Sequence, residues 1–343
     1  MNPFSFSAPV DLATALLQAR QGMHGKTKFI AGGTNLVDLM KEHVETPHSL
    51  IDINHLPFTR IEPSPTGGLL IGAMVRNAET AYHPLVRQHY PLLSMAILAG
   101  ASAQIRNMAS NGGNLLQRTR CIYFYDTAVP CNKRQPGSGC PAIGGINRQH
   151  AILGASEMCI ATHPSDMCVA LAALQAVIHI SSSHGNRQIA FADFHRLPGD
   201  RPDIESNLAA GELITHIELS PAEQFAKHCT YLKLRDRASY AFALVSVAAA
   251  LDMADDGRIR EARIALGGVA HKPWRLPEAE FLLTGQLPGN AVFVKVADCL
   301  LKGAQGQGGN NFKINMAHRA IVRALETAAA NSRHKIEIPE AAI

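Results

Sequence analysis

Between Ser110 and Cys140 the chain reads SNGGNLLQRTRCIYFYDTAVPCNKRQPGSGC, a stretch too polar and too broken by Pro and Gly to be core strand or core helix. It carries three of the seven cysteines, Cys121, Cys131 and Cys140, and Cys159 follows after a further linker. Free cysteines usually pack as small hydrophobes. The apolar runs around Cys229 and Cys299 suit that role, whereas the surroundings of Cys121, Cys131 and Cys140 do not. Something must hold this loop. Disulfides could, but Met1-Asn2-Pro3-Phe4 does not open a basic region followed by an apolar run, so the sequence does not point to an exported, oxidised chain. Zinc could, although gaps of nine, eight and eighteen residues lack the close pairs of structural zinc sites. Four thiolates could also hold a cubane iron-sulfur cluster. Arg118, Arg120, Lys133, Arg134 and Arg148, against a lone Asp126, would offset its negative charge. Spacing leaves these readings, and unliganded thiols, open.

Two Gly-Gly motifs make the second half of the argument. Lys28-Phe29-Ile30-Ala31-Gly32-Gly33-Thr34-Asn35-Leu36 reads as a short apolar strand that ends in a tight turn and enters a helix over Leu36 to Lys41. That arrangement places unpaired N–H groups where a diphosphate could sit. Ser110-Asn111-Gly112-Gly113-Asn114 offers a second run of small residues, read as a loop with consecutive N–H groups. No G-x-G-x-x-G fingerprint occurs, so a Rossmann dinucleotide site is not supported.

The pair of motifs resembles the two diphosphate-binding loops of the FAD-binding medium subunit of the xanthine dehydrogenase and carbon monoxide dehydrogenase family. Arg118 to Cys121, Tyr123 to Asp126, Pro130 to Arg134 and Pro136 to Cys140 resemble more closely the branch found in bacterial periplasmic aldehyde oxidoreductases. There the FAD subunit carries an additional 4Fe-4S cluster in an insertion, as does the beta subunit of 4-hydroxybenzoyl-CoA reductase. The resemblance extends through Arg235 to Phe242 and Gly267 to Trp274, nearly the whole chain. It implies FAD bound by Lys28 to Leu36, by Ser110, Gly112, Gly113 and Asn114, and by Asp166 and Lys233. It implies a 4Fe-4S cluster on Cys121, Cys131, Cys140 and Cys159. The partners implied are a molybdopterin-binding large subunit, a 2Fe-2S small subunit and an external electron acceptor. Electrons would pass from the 2Fe-2S subunit to FAD, and the complex would be an aldehyde oxidoreductase. The chain would reach the periplasm folded, on a partner bearing a twin-arginine signal, or else remain cytoplasmic. The alternatives are a 4-hydroxybenzoyl-CoA reductase-like beta subunit, a stand-alone flavin oxidoreductase, and a flavin-free, zinc-stabilised binding module.

In chain order, apolar positions Leu12, Ala15, Leu16 and Ala19 set a helix over Asp11 to Arg20. Strands are expected at Lys28 to Ile30, Leu50 to Ile53 and Leu69 to Met74, and one apolar helix over Tyr90 to Ile105. Pro164 and Asp166 suit the first turn of the next helix, whose Cys168 reads as a packed thiol rather than a ligand. Without the resemblance, Asp166 is simply a helix-start carboxylate, and Lys233 and Arg235 are surface cations. Strands follow at Val177 to Ser181, Gln188 to Ala190, Leu213 to Leu219, Cys229 to Leu234, Ala241 to Leu251 and Ile259 to Leu266. Helices then start at Pro277, Ala291 and Phe312, and Trp274, the only tryptophan, reads as a packing residue. The expected fold class is α+β. Residues 1–57 would form a small α/β FAD-binding subdomain, and 58–222 a second one with the cysteine insertion at about 118–160. Residues 223–343 would form a C-terminal antiparallel sheet with helices.

An apolar fraction of 47% and mean hydropathy of +0.01 describe a globular chain with enough core, without an apolar run long enough to span a bilayer. The net charge of +4 comes without the basic blocks of a nucleic-acid binder. His163, His271 and Asp126 are the titratable side chains for which the sequence shows no partner.

Overall fold

The computed structural model describes residues 1–22 and 26–330. Strand β1 (Ser5–Ser7), helix α1 (Leu12–Gln21), β2 (Thr27–Ile30), α2 (Leu36–Lys41) and β3 (Ser49–Asp52) form the first unit. Helical crossovers between its strands permit parallel pairing, and the sheet runs β1-β3-β2 with Ser5 and Thr27 both opposite Ser49. Asp11 caps α1 by accepting from the Thr14 N–H at 2.8 Å. The expected stripe of Ala15, Leu16 and Ala19 is buried against Ile51, Ile53 and Leu56. The first Gly-Gly turn leaves the carboxyl end of β2, the side on which open α/β sheets place their ligands.

The second unit holds β4 (Ile61–Pro63), β5 (Leu69–Gly72), α3 (Asn77–Tyr82), α4 (Pro84–His89), α5 (Pro91–Ala99), α6 (Ala103–Met108), α7 (Asn111–Leu115) and α8 (Ile122–Tyr125). After the cysteine segment come α9 (Asp166–Ala173), β6 (Val177–Ser182), β7 (Gly185–Ala190), α10 (Phe191–Phe194) and β8 (Leu213–Leu219). Its five strands run β4-β5-β8-β6-β7, all antiparallel, with β8 returning to the centre. Every residue of α9 is buried. The helix expected over Tyr90 to Ile105 is two helices. Gly100 approaches Asp166 so closely that a Cβ there would lie 3.0 Å from Oδ2. Ala101 then turns left-handed at φ 50°, and Ser102 caps α6 by accepting from the Ile105 N–H at 3.3 Å.

The third unit is β9 (Cys229–Leu234), β10 (Val245–Met253) and β11 (Ile259–Gly267), an antiparallel sheet of order β11-β10-β9, followed by α11 (Pro277–Phe281), α12 (Asn290–Leu300) and α13 (Phe312–Ala329). Side chains alternate across β10. Val247, Ala249 and Leu251 enter the core under α12 and α13, while Ala248 and Ala250 join the core around α9. Both faces are therefore covered, which explains an apolar run without polar alternation. The strand starts at Val245 rather than Ala241, because Ala241 and Phe242 line a cavity instead. Trp274 packs on the third core and donates from Nε1 to the Leu300 carbonyl at 3.1 Å.

Candidate cofactor site

One cavity of about 1140 Å³ lies where the three units meet. It exceeds the ~300–1,000 Å³ typical of drug-sized ligands and suits a dinucleotide. Lys28 to Leu36, Ser110, Gly112, Gly113, Asn114, Asp166 and Lys233 all line it, so residues spread over most of the chain face one space.

The two Gly-Gly motifs contribute in different ways. Gly33 adopts φ 70°, and a Cβ on Gly32 would lie 1.9 Å from the Met108 carbonyl oxygen. The N–H groups of Gly33, Thr34 and Asn35 have no acceptor among the described residues, as an anion cradle requires. The second motif is the short helix α7, not the loop with free donors that its sequence suggests. Asn111 and Gly112 donate to the Val75 and Ala73 carbonyls at 3.0 and 2.8 Å, Gly113 donates to Ser110 Oγ at 3.2 Å, and Asn114 to the Ser110 carbonyl at 2.9 Å. Two of the four residues it presents to the cavity, Gly112 and Gly113, have no side chain, and they serve close approach. Below it Asn114 donates to Asn77 Oδ1 at 2.6 Å, Asn77 to Asn111 Oδ1 at 2.8 Å and Asn111 to Thr80 Oγ1 at 2.7 Å. This buried amide chain fixes α7 against α3.

At the far end of the cavity Lys233 Nζ lies 2.7 Å from Asp166 Oδ2, with side chains 4% and 8% exposed. Tyr231 donates to Asp166 Oδ1 at 2.7 Å. Burial, with the Asp166 charge beside it, pushes the Tyr231 phenol well above its usual range. Lys233 and Arg235 both donate to the Ala99 carbonyl, at 3.1 and 3.0 Å, but Lys233 makes the ion pair. Tyr231 is a site neighbour that the sequence did not announce, because it reads as one more aromatic of a strand.

The cysteine segment lies alongside. None of the seven thiols is paired in a disulfide. The thiols of Cys140 and Cys159 lie close enough to interact, which lowers the Cys140 thiol and, together with burial, pushes Cys159 up. Burial raises the Cys121 thiol to about 11, and the sulfurs of Cys131 and Cys140 are near enough to add to that rise. Cys121, Cys131, Cys140 and Cys159 are thus neighbours, and their sulfurs are donors of the soft kind. Asn132 holds two of those turns, accepting from the Gly139 N–H at 2.8 Å and donating to the Met158 carbonyl at 2.8 Å. His150 Nε2 lies 3.1 Å from Cys121 Sγ. The segment starts and ends at one place, since Ser165 Oγ donates to Asn114 Oδ1. On the way it is anchored to the third unit, where Ile152 and Leu153 donate to the Val269 carbonyl at 2.9 and 3.0 Å.

A buried charge knot joins segment and cavity. Arg118 donates its backbone N–H to Asn35 Oδ1 at 3.0 Å, and its guanidinium meets Glu45 at 2.6 Å and Glu205 at 3.1 Å. Lys133 Nζ lies 2.8 Å from Glu205. Burial alone would raise the Glu205 carboxyl, but Lys133 and Arg118 together hold it at about 2. Arg120 and Tyr125 both donate to Asp38 Oδ2 on α2, at 3.1 and 3.0 Å.

His163, Cys168 and His195 bring ligand-type atoms within 4.8 Å of one another. His163 Nδ1 accepts from the Ser165 N–H at 3.3 Å and His195 Nε2 meets the Leu115 carbonyl at 2.8 Å, so each ring has a fixed tautomer. His163 then presents an N–H and His195 a lone pair, and neither nitrogen has a hydrogen-bond partner among the described residues. Burial keeps both neutral, lowering His195 to about 4. Cys168 is fully buried, as expected, and Asp126 is an exposed turn residue whose Oδ1 accepts from the Ala128 N–H at 2.9 Å.

Residues 2–222 match the model of the FAD binding domain in molybdopterin dehydrogenase, and residues 230–328 that of the CO dehydrogenase flavoprotein C-terminal domain. The chain belongs to the FAD-binding medium subunits of the molybdenum hydroxylase family. It is an oxidoreductase subunit, the FAD-binding component of a multi-subunit complex. The medium subunit is 51% identical over 97% of its length to all of the aldehyde oxidoreductase FAD-binding subunit PaoB of Escherichia coli strain K12. It is 28% identical to the glyceraldehyde dehydrogenase medium chain of Sulfolobus acidocaldarius, over 80% of each chain. Its fold matches carbon monoxide dehydrogenase from Hydrogenophaga pseudoflava with a TM-score of 0.74, covering 96% of this chain and 98% of that one at 24% identity. No helix among the described residues is long and apolar enough to cross a membrane.

Proposed function

We propose that the medium subunit binds FAD in the cavity between its three units and a 4Fe-4S cluster on Cys121, Cys131, Cys140 and Cys159, as the electron-transfer component of a heterotrimeric molybdenum-containing aldehyde oxidoreductase. The observation that carries this reading is a dinucleotide-sized cavity lined by both Gly-Gly motifs, beside which a smaller cavity shares Arg120, Ser165 and Asp166 with it and reaches Cys121. The aldehyde substrate class is supported by the 51% identity to a subunit of that name. FAD held there would supply the redox chemistry between a 2Fe-2S small subunit and an external acceptor, and substrate oxidation would be the task of the molybdopterin-binding large subunit.

The chain's own residues bind and orient. The free N–H groups of Gly33, Thr34 and Asn35 are placed for the diphosphate, and Gly112 and Gly113 of α7 let it approach. Asp166, held by Lys233 and Tyr231 at the cavity wall, would offer FAD a fixed carboxylate. For the cluster, four cysteine thiols fit iron and sulfide, and Arg134, which donates to the Tyr123 and Phe124 carbonyls at 2.7 Å, would offset charge, whereas Lys133 is taken up by Glu205. The complex would act in the periplasm, carried there folded by a partner with an export signal; activity confined to the cytoplasmic fraction of a native host would argue otherwise.

The test is the purified heterotrimer. Its visible spectrum should contain flavin and iron-sulfur bands, its medium subunit four iron and four sulfide beyond those of the small subunit, and aldehydes should bleach the flavin. Colourless protein, or zinc in place of iron, would favour the zinc-stabilised module instead. Reduction of an acyl-CoA substrate without aldehyde oxidation would favour the 4-hydroxybenzoyl-CoA reductase branch.

A further inference from the structure

The contact between His150 and Cys121 has no part in the reading above. His150 Nε2 lies 3.1 Å from Cys121 Sγ, and the histidine is 6% exposed. Its backbone is held at both ends. The His150 N–H donates to the Asn147 carbonyl at 2.9 Å, and its own carbonyl accepts from Lys313 Nζ at 2.7 Å and Asn310 Nδ2 at 3.2 Å. Lys313 also donates to the Gly268 carbonyl at 2.6 Å. Lys313 and Asn310 are themselves fully buried, at the start of α13. A buried lysine directed at backbone carbonyls instead of a carboxylate is costly. Here it holds the carbonyl of a histidine that touches a candidate cluster ligand, so the C-terminal unit anchors the backbone from which the imidazole projects.

We propose that His150 is a positioning residue that tunes the reduction potential of the cluster by donating its Nε2–H to Cys121 Sγ. This inference rests on the cluster reading above. A thiol in the metal-free chain can donate to the ring nitrogen or accept from it. A sulfur bound to iron can only accept, so ligation leaves Nε2–H as the donor in this contact. Reduction adds negative charge that spreads onto the cysteine sulfurs. A hydrogen bond to one of them stabilises the reduced form more than the oxidised form and raises the potential.

The experiment is an EPR-monitored redox titration of the purified heterotrimer carrying wild-type, His150→Ala or His150→Gln medium subunit, with iron, sulfide and FAD counted in each. Iron and FAD should be unchanged in all three. The midpoint should fall in His150→Ala and recover at least partly in His150→Gln, which keeps an N–H donor. Unchanged iron with an unchanged midpoint in His150→Ala would overturn the tuning role and leave the cluster reading standing. Loss of iron in His150→Ala would also overturn it, making the histidine a requirement for retention. Absence of iron from the wild-type medium subunit would remove the cluster reading and this inference together.

Discussion

Asp166 and Lys233 are 67 residues apart in sequence, and Oδ2 and Nζ meet at 2.7 Å with both side chains nearly buried. A carboxylate at the start of α9 and an ammonium on β9 thus fasten the FAD-binding units to the C-terminal sheet at the wall of the cavity. Each charge is tolerable there because of the other.

Removing the cation should expose that dependence. Lys233→Met leaves Asp166 buried with the Tyr231 hydroxyl as its remaining close partner, and breaking a buried pair costs ~3–5 kcal/mol. Urea unfolding of the FAD-free chain should register the loss, and flavin retained through gel filtration should fall. Equal stability with full flavin would show that Asp166 does not need its partner.

The first Gly-Gly turn should tolerate nothing larger than glycine. Gly33→Asp introduces a side chain at φ 70° and an anion where a diphosphate is expected, and Gly32→Ala drives a Cβ into the Met108 carbonyl. Both variants should purify without FAD. Full flavin occupancy in Gly33→Asp would remove this turn from the site.

Acid should act in two stages. His195 is held at about 4 by burial, below its usual 6.5. As pH falls through 6.5 the unfolded chain takes up a proton that the native chain refuses, so stability is lost from about 6.5 down to about 4. Glu205, held at about 2 against a usual 4.5, adds a second loss from about 4.5 downward, as its pairing with Lys133 and Arg118 is protonated away. Urea midpoints followed against pH should decline in both windows. His195→Gln should make the upper loss shallower without abolishing it, because His150, His163 and His271 are lowered in the same way, and Glu205→Gln should flatten the lower.

The cysteines should separate into two classes. Alanine at Cys121, Cys131, Cys140 or Cys159 should lower cluster iron and destabilise the segment. Cys168→Ala, inside α9, should leave iron unchanged and cost on the order of 1 kcal/mol in packing. If Cys168→Ala loses iron while Cys159→Ala keeps it, the ligand assignment is wrong.

The parts of this architecture that were legible in the sequence are those written in consecutive residues. Lys28 to Leu36 carries strand, turn and helix start in one motif, and the structure sets all of it along the cavity. The cores behind β10 and α13 follow from apolar runs and helical spacing. What stayed hidden depends on pairings across the fold. Nothing in the sequence near Tyr90 to Ile105 announces that Gly100 must make room for Asp166, and so the break between α5 and α6 is not legible there. Nor does an Arg or Lys in a basic loop declare that it will be buried against a distant Glu205; Arg118 and Lys133 look like charge compensation until Glu205 is placed between them. The same holds for the second Gly-Gly motif, whose donors are consumed by Ala73 and Val75 on a neighbouring turn.

The excursion that departs beside Asn114, fastens to Val269 and comes home beside Ser165 has a mechanical consequence. Units joined by a single linker are ordinarily free to pivot on one another. Here the polypeptide crosses the seam between the flavin-binding half and the C-terminal half and returns, so any pivot would have to tear the Ile152 and Leu153 anchors or pull apart the Asn114–Ser165 clasp. The medium subunit is therefore a braced frame without articulation, and the spacing between its two candidate redox sites is locked by the same excursion that carries one of them.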